Sequence, residues 1–137
     1  MEEKIVITNS VEELSTLAAA IEELAETWEL PLPLTMNINL VLEEAITNII
    51  FYGFPEGGKH PISISLSLVE HELIIAIEDD GIPFDPTLKE QPDTNLPADE
   101  RPIGGLGIFL IRKIMDNVSY SREENKNILT LKKKLEL

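Results

Sequence analysis

Cysteine is absent from the 137 residues of this chain, so disulfides, thiolate metal sites and cysteine nucleophiles are excluded. Basic residues are scarce: 11 Lys and Arg stand against 25 Asp and Glu, a net charge of −14. A surface of that sign repels phosphate backbones and anionic headgroups. The one basic cluster, Lys132-Lys133-Lys134, reads as solvated strand positions, so neither nucleic acid nor a membrane is an expected partner. No stretch approaches the roughly 18 apolar residues that a membrane span needs. The acidic start Met1-Glu2-Glu3-Lys4 has neither region of a secretory signal, and a cytoplasmic location is expected. His60 and His71 are the only histidines, and neither has a second at helical spacing, which leaves a zinc site unsupported.

What is present has the periodicity of a single domain over residues 1–137. Lys4 to Thr8 reads as a strand, and Ser10 with Glu13 as a capping box opening a helix whose Leu14, Leu17, Ile21, Leu24 and Trp28 share one face. Pro31 and Pro33 break the chain. A second helix, from about Leu34 to Tyr52, carries Ile38, Leu42, Ala45 and Ile49 as its apolar stripe and ends at Gly53. Ile62, Ile64, Leu66 and Leu68 alternate with serines, and Leu73 to Asp79 returns through Glu70-His71, so the pair is an antiparallel hairpin. Residues 82–102 hold five prolines and form a long loop, a length usual for functional lids. A third helix from about Gly107 to Asn117 and a second hairpin, turning through Glu123 to Lys126, complete the chain. This order predicts an α+β fold, a two-layer α/β sandwich with a mixed, mostly antiparallel sheet and helices on one face.

Three constellations carry chemistry. Glu44 and Asn48 lie one turn apart on the second helix, away from its apolar stripe. An amide oxygen is a hard ligand suited to Mg²⁺, and a carboxylate one turn away can take a proton from an attacking hydroxyl. By spacing alone such a pair is usually a solvated helix face. Asp79 is in phase with Leu73, Ile75 and Ile77, so a carboxylate points among apolar side chains, where it requires a hydrogen-bond donor. The exocyclic amine of a purine is one such donor. Gly81, two residues on, allows close backbone approach, although a plain Asp-Gly turn accounts for it too. Gly104-Gly105-Leu106-Gly107 precedes the third helix, where unpaired amides favour a phosphate, and Arg101 could reach a terminal phosphate. Two other phosphate motifs fail. Gly53 to Lys59 has P-loop spacing, but His60 replaces the required hydroxyl and the segment joins a helix to a strand. The Gly105-Leu106-Gly107 run has Leu110 in place of the last dinucleotide-site glycine.

Glu44-Ala45-Ile46-Thr47-Asn48, then Asp79-Asp80-Gly81, then Gly104-Gly105-Leu106-Gly107 resemble, in order and spacing, the nucleotide-binding boxes of the histidine-kinase-like ATPase (GHKL) superfamily. Together with Pro83 to Pro86 and the run from Gly104 to Lys113, they are most similar to the anti-sigma-factor serine/threonine kinases. That resemblance implies ATP binding under a lid, with Glu44 as general base, Asn48 as Mg²⁺ ligand, Asp79 as acceptor of the adenine amine beside Gly81, and Gly105 and Gly107 on the phosphates. It places Thr130 on the last strand as a hydroxyl supporting the adenine site. It implies transfer of the γ-phosphoryl group to a serine of an anti-anti-sigma (STAS-type) partner that competes with a sigma factor, and it leaves a homodimer open. A nucleotide-gated binding module without transfer is the alternative. Two departures stand out: Tyr52 where many relatives have histidine, and Pro83 where much of the superfamily has glycine.

Overall fold

The computed structural model describes residues 1–88 and 105–135. Its elements are β1 (Glu2–Thr8), α1 (Glu13–Thr27), α2 (Leu32–Tyr52), β2 (Pro61–Val69), β3 (Glu72–Asp79), a 3-10 turn (Pro86–Leu88), α3 (Gly105–Ile114), β4 (Asn117–Glu123) and β5 (Lys126–Lys134). The strands form one sheet in the order β1-β2-β3-β5-β4. Every pairing in it is antiparallel, so the expected α+β sandwich stands, with an antiparallel rather than mixed sheet among the described residues. Both hairpins turn on two residues of positive φ, Glu70 and His71 (49° and 66°), then Glu124 and Asn125 (52° and 65°). That is the turn geometry whose twist matches paired strands.

Helix ends follow local chemistry, with one departure. Glu13 does not close a capping box with Ser10; its carboxylate accepts from the backbone N–H of Thr8 (3.3 Å) and from the Thr8 hydroxyl (3.0 Å) instead. The side chain thereby ties the first helical turn to the end of β1. α1 ends where Leu30 N–H reaches Ala25 O and Glu29 N–H reaches Glu26 O, with Glu29 at φ 55°, a Schellman closure. Extended Pro31 caps α2, and α3 opens at Gly105, one half-turn earlier than the periodicity predicts.

The helices cover one face of the sheet. Ile62, Ile64, Leu66, Leu73, Ile75, Ile77, Leu129 and Leu131 project from the strands and meet Leu17, Ile21, Ile38, Leu42, Ile108 and Ile111 in one apolar core. α2 is buried more widely than a single stripe, because Val41 and Ile46 are also enclosed. The helix packs between α1 and α3 and shares one core cluster with the sheet, so three sides are apolar. Its free side still carries Leu32, Met36 and Phe51 exposed.

The sheet register sets up the site. On the helix-facing side, one cross-strand row runs Ile7, Ile62, Asp79, Asn127, Arg122, and the next runs Ile5, Ile64, Ile77, Leu129, Tyr120. The first row starts apolar on β1 and β2 and turns polar on β3, β5 and β4. A polar end to an otherwise apolar face must be satisfied by hydrogen bonds or by a ligand.

Candidate functional site

Glu44 and Asn48 leave α2 toward the first turn of α3. A Cβ built on Gly107 would lie 2.9 Å from Glu44 Oε2 and 3.4 Å from Asn48 Nδ2, so glycine allows the two helices to approach at this point. Gly107 is the third residue of α3 and Gly105 and Leu106 are the first two, which sets the unpaired N–H groups of that helix start beside the carboxylate and the amide. Asn48 is 7% exposed and lines a cavity. Its amide takes no hydrogen-bond partner among the described residues, an open hard oxygen donor at a cavity wall.

That cavity, partly open to solvent, runs between α2, α3 and the polar end of the sheet, with Ala45, Ile49, Ile111 and Leu129 as apolar walls. Asp79 closes its far end, 4% exposed. Gly81 N–H (2.9 Å) and Asn127 Nδ2 (3.0 Å) both donate to Asp79 Oδ1. Burial pushes the Asp79 carboxyl above its ordinary range; the Asn127 and Gly81 hydrogen bonds pull it down, Asp80 raises it and Arg122 lowers it. Asp80 points the other way, as the strand period predicts, and its Oδ1 lies 3.2 Å from His60 Nδ1. Gly81 is required by close approach: a Cβ there would sit 2.6 Å from Gly53 O. Ile82 N–H bonds that same carbonyl, so the end of α2 is sewn to the turn after β3.

The first residues of the predicted lid fold over the cavity. Phe84 and Pro86 line it, and the Phe84 ring stacks on Tyr52 at 5.9 Å between centroids and 22° between planes. Arg101 and Gly104, and the lid from residue 89 onward, lie outside the described residues. The structure therefore gathers Glu44, Asn48, Gly105, Leu106 and Gly107 at one end of the site and Asp79 and Gly81 at the other.

Thr130 is not among them. It pairs with Ala76 on β3 and Ser119 on β4, and alternation sends it to the face of the sheet away from the helices. The β5 residue at the site is Asn127, 5% exposed and directly opposite Asp79. Sequence reasoning missed it, although Asn127 is in phase with Leu129 and Leu131 and so carries the signal that singles out Asp79. Tyr120 and Arg122 of β4 were missed as well. The Tyr120 hydroxyl donates to Asn127 Oδ1, and Arg122 Nη1 donates to Asn127 Oδ1 (3.0 Å) and Gly81 O (2.8 Å).

Comparison with known proteins agrees with this geometry. A family model described as histidine kinase-like ATPase domain matches residues 7–133. The serine/threonine-protein kinase BtrW of Bordetella bronchiseptica is 34% identical over 108 residues, 79% of this chain and 75% of that protein. The serine-protein kinase RsbW of Bacillus mycoides is 32% identical over 100 residues, 70% of this chain, and the match spans 62% of the relative's length. Among solved structures, the histidine kinase domain of a blue-light activated kinase from Erythrobacter litoralis superposes with a TM-score of 0.54 at 18% identity, over 89% of this chain and 59% of that one. The histidine kinase AdeS of Acinetobacter baumannii gives 0.54 at 21% identity, over 98% and 68%. These two likenesses concern the fold. No helix of the described residues is long and apolar enough to cross a membrane. The chain belongs to the histidine kinase-like ATPase domain family, and its resemblance to the anti-sigma-type serine/threonine kinases within that family stands.

Proposed function

We propose that this chain is an ATP-dependent serine/threonine protein kinase acting as an anti-sigma regulatory factor, which passes the γ-phosphoryl group of ATP to a serine of an anti-anti-sigma (STAS-type) partner. The observation that carries the proposal is the meeting of the Glu44 carboxylate and the Asn48 amide at the amino-terminal turn of α3, with Asn48 and a buried carboxylate, Asp79, lining one cavity. The serine kinases among its relatives support the same reading.

In this reading the base lies between the apolar walls of the cavity and its exocyclic amine donates to Asp79. The phosphates lie at the first turn of α3, where the N–H groups of Gly105, Leu106 and Gly107 and the positive helix end favour negative charge. Glu44 takes the proton of the acceptor serine as its oxygen bonds to the γ-phosphorus. The bond from that phosphorus to the β,γ-bridging oxygen breaks, and ADP leaves. Among the described residues no three His, Cys, Asp or Glu side chains converge into a metal cage. A donor set of one amide suits Mg²⁺, which takes most of its shell from water and phosphate. Asn48 would hold it, and it would neutralise charge on the phosphate oxygens. The unphosphorylated partner and a sigma factor would compete for the same protein in the cytoplasm.

The test is titration of ATP with magnesium into wild type and Asn48→Ala, then incubation of wild type and Glu44→Gln with labelled ATP and a STAS-type protein from the same genome. Magnesium-dependent binding lost in Asn48→Ala, with phosphoserine formed by wild type and not by Glu44→Gln, is the expected result. Binding without transfer would leave a nucleotide-gated partner-binding module, and no binding at all would refute the ATP reading.

A further inference from the structure

The hydrogen bonds around Asn127 are complete and one-directional. Its Nδ2 spends both protons, one on Asp79 Oδ1 (3.0 Å) and one on Ile82 O (2.8 Å). Its Oδ1 receives the Phe84 N–H (3.4 Å), Arg122 Nη1 (3.0 Å) and the Tyr120 hydroxyl. A backbone N–H and a guanidinium only donate, and a carbonyl and a carboxylate only accept, so the amide has one permitted orientation. Flipped, it would aim its NH₂ at two donors and its oxygen at two acceptors.

The orientation matters because of which Asp79 atom it uses. Asn127 and Gly81 both donate to Oδ1, and Oδ2 receives no hydrogen bond from the described residues. The carboxylate is therefore held by one oxygen and presents the other to the cavity it lines. The lock extends outward, since Arg122 also grips Gly81 O (2.8 Å) and Asn127 also grips Ile82 O. The turn that carries Gly81 and the first residues of the lid are thus fixed by the same cluster.

We propose that Asn127, locked by Tyr120 and Arg122, is the positioning residue of the base site: it aims Asp79 Oδ2 at a purine 6-amino group and so sets selectivity for adenine nucleotides over purines lacking that amine. This rests on the ATP reading above. Asn127 does not touch the reacting atoms; it acts through Asp79.

The test compares dissociation constants of ATP and purine riboside triphosphate, which differ only by the 6-amino group, for wild type, Asn127→Leu and Arg122→Met. A hydrogen bond to a charged acceptor makes wild type prefer ATP by roughly tenfold or more. In Asn127→Leu that preference is expected to fall to within about threefold of unity, with affinity for the amine-free nucleotide changed less than about threefold, since that ligand never engages Asp79. Arg122→Met leaves the amide in place but unlocked, and is expected to lose part of the preference; it carries the test if Asn127→Leu does not fold. Equal weakening of both nucleotides, with the ratio preserved, would overturn the proposal by reducing Asn127 to a structural role. A wild type that binds both nucleotides equally would overturn it too. A wild type that binds neither would refute the ATP reading itself, a result distinct from the other two.

Discussion

Gly107→Ala separates what the fold needs from what the site needs. The added Cβ would stand 2.9 Å from Glu44 Oε2, 3.4 Å from Asn48 Nδ2 and 3.6 Å from Glu44 Cβ. The closest atom is the far end of a flexible side chain, which can retreat by a few tenths of an ångström at small cost. Against that cost, alanine within the first turn of α3 favours the helix by about 0.5–1 kcal/mol over glycine. The net effect on stability is therefore neutral to favourable, an expected rise in Tm of up to about 4 °C for a domain of this size. In the proposed reaction the same shift moves the Glu44 carboxylate away from the acceptor hydroxyl. Displacements of up to an ångström cost up to about a hundredfold in rate, so phosphoryl transfer is expected to drop about ten- to a hundredfold. The assay pairs a melting curve with single-turnover transfer of labelled phosphate at saturating ATP. A Tm lowered by more than about 3 °C would mean that Glu44 cannot yield, and an unchanged transfer rate would falsify the placement of Glu44 as base.

Two further substitutions probe the other end of the cavity. Gly81→Ala also meets an atom too soon, but that atom is backbone, Gly53 O at 2.6 Å with Gly53 C at 3.1 Å. Overpacking of this kind costs about 1–3 kcal/mol, and a clear fall in Tm with loss of ATP binding is expected by melting and titration; a stable variant with normal affinity would contradict the close approach. Asp79→Asn is expected to do the opposite to stability. Because burial raises the Asp79 carboxyl, the folded state holds its proton more tightly than the unfolded chain. Its contribution favours folding below about pH 4 and is lost as pH rises through the raised pKa. The asparagine removes the ionised buried group while its own Oδ1 can still accept from Gly81 and Asn127, so the apo protein should melt higher than wild type at pH 7. The difference should close as pH falls through the raised pKa, and ATP binding should vanish at any pH; a variant that keeps wild-type ATP affinity would remove Asp79 from the base site.

Periodicity along the chain determined most of the architecture. Alternation over Ile62 to Leu68 and over Leu73 to Asp79 fixed two strands and their inward faces, and three- and four-residue spacing fixed α1 and α2, because both patterns are local consequences of which side of an element is buried. The same phase argument put Asp79 inside and Asp80 outside, and helical spacing put Glu44 and Asn48 on one face. The capping box was legible as a motif but not realised, since Glu13 found the two donors of Thr8 within reach once β1 lay beside the helix. What the chain could not reveal by itself is who stands opposite Asp79. β3 pairs with β5, Asp79 and Asn127 being forty-eight residues apart in sequence, with a helix and a strand between them. A register between strands that are not neighbours in sequence depends on how the whole sheet is assembled, and a shift of one residue would exchange the two faces. That register decided for Asn127 and against Thr130, and it set Arg122 and Tyr120 beside them. The Gly107 approach to Glu44 and the Gly53 carbonyl against Gly81 are likewise contacts between separate elements, visible only where α2, α3 and the end of β3 converge in space.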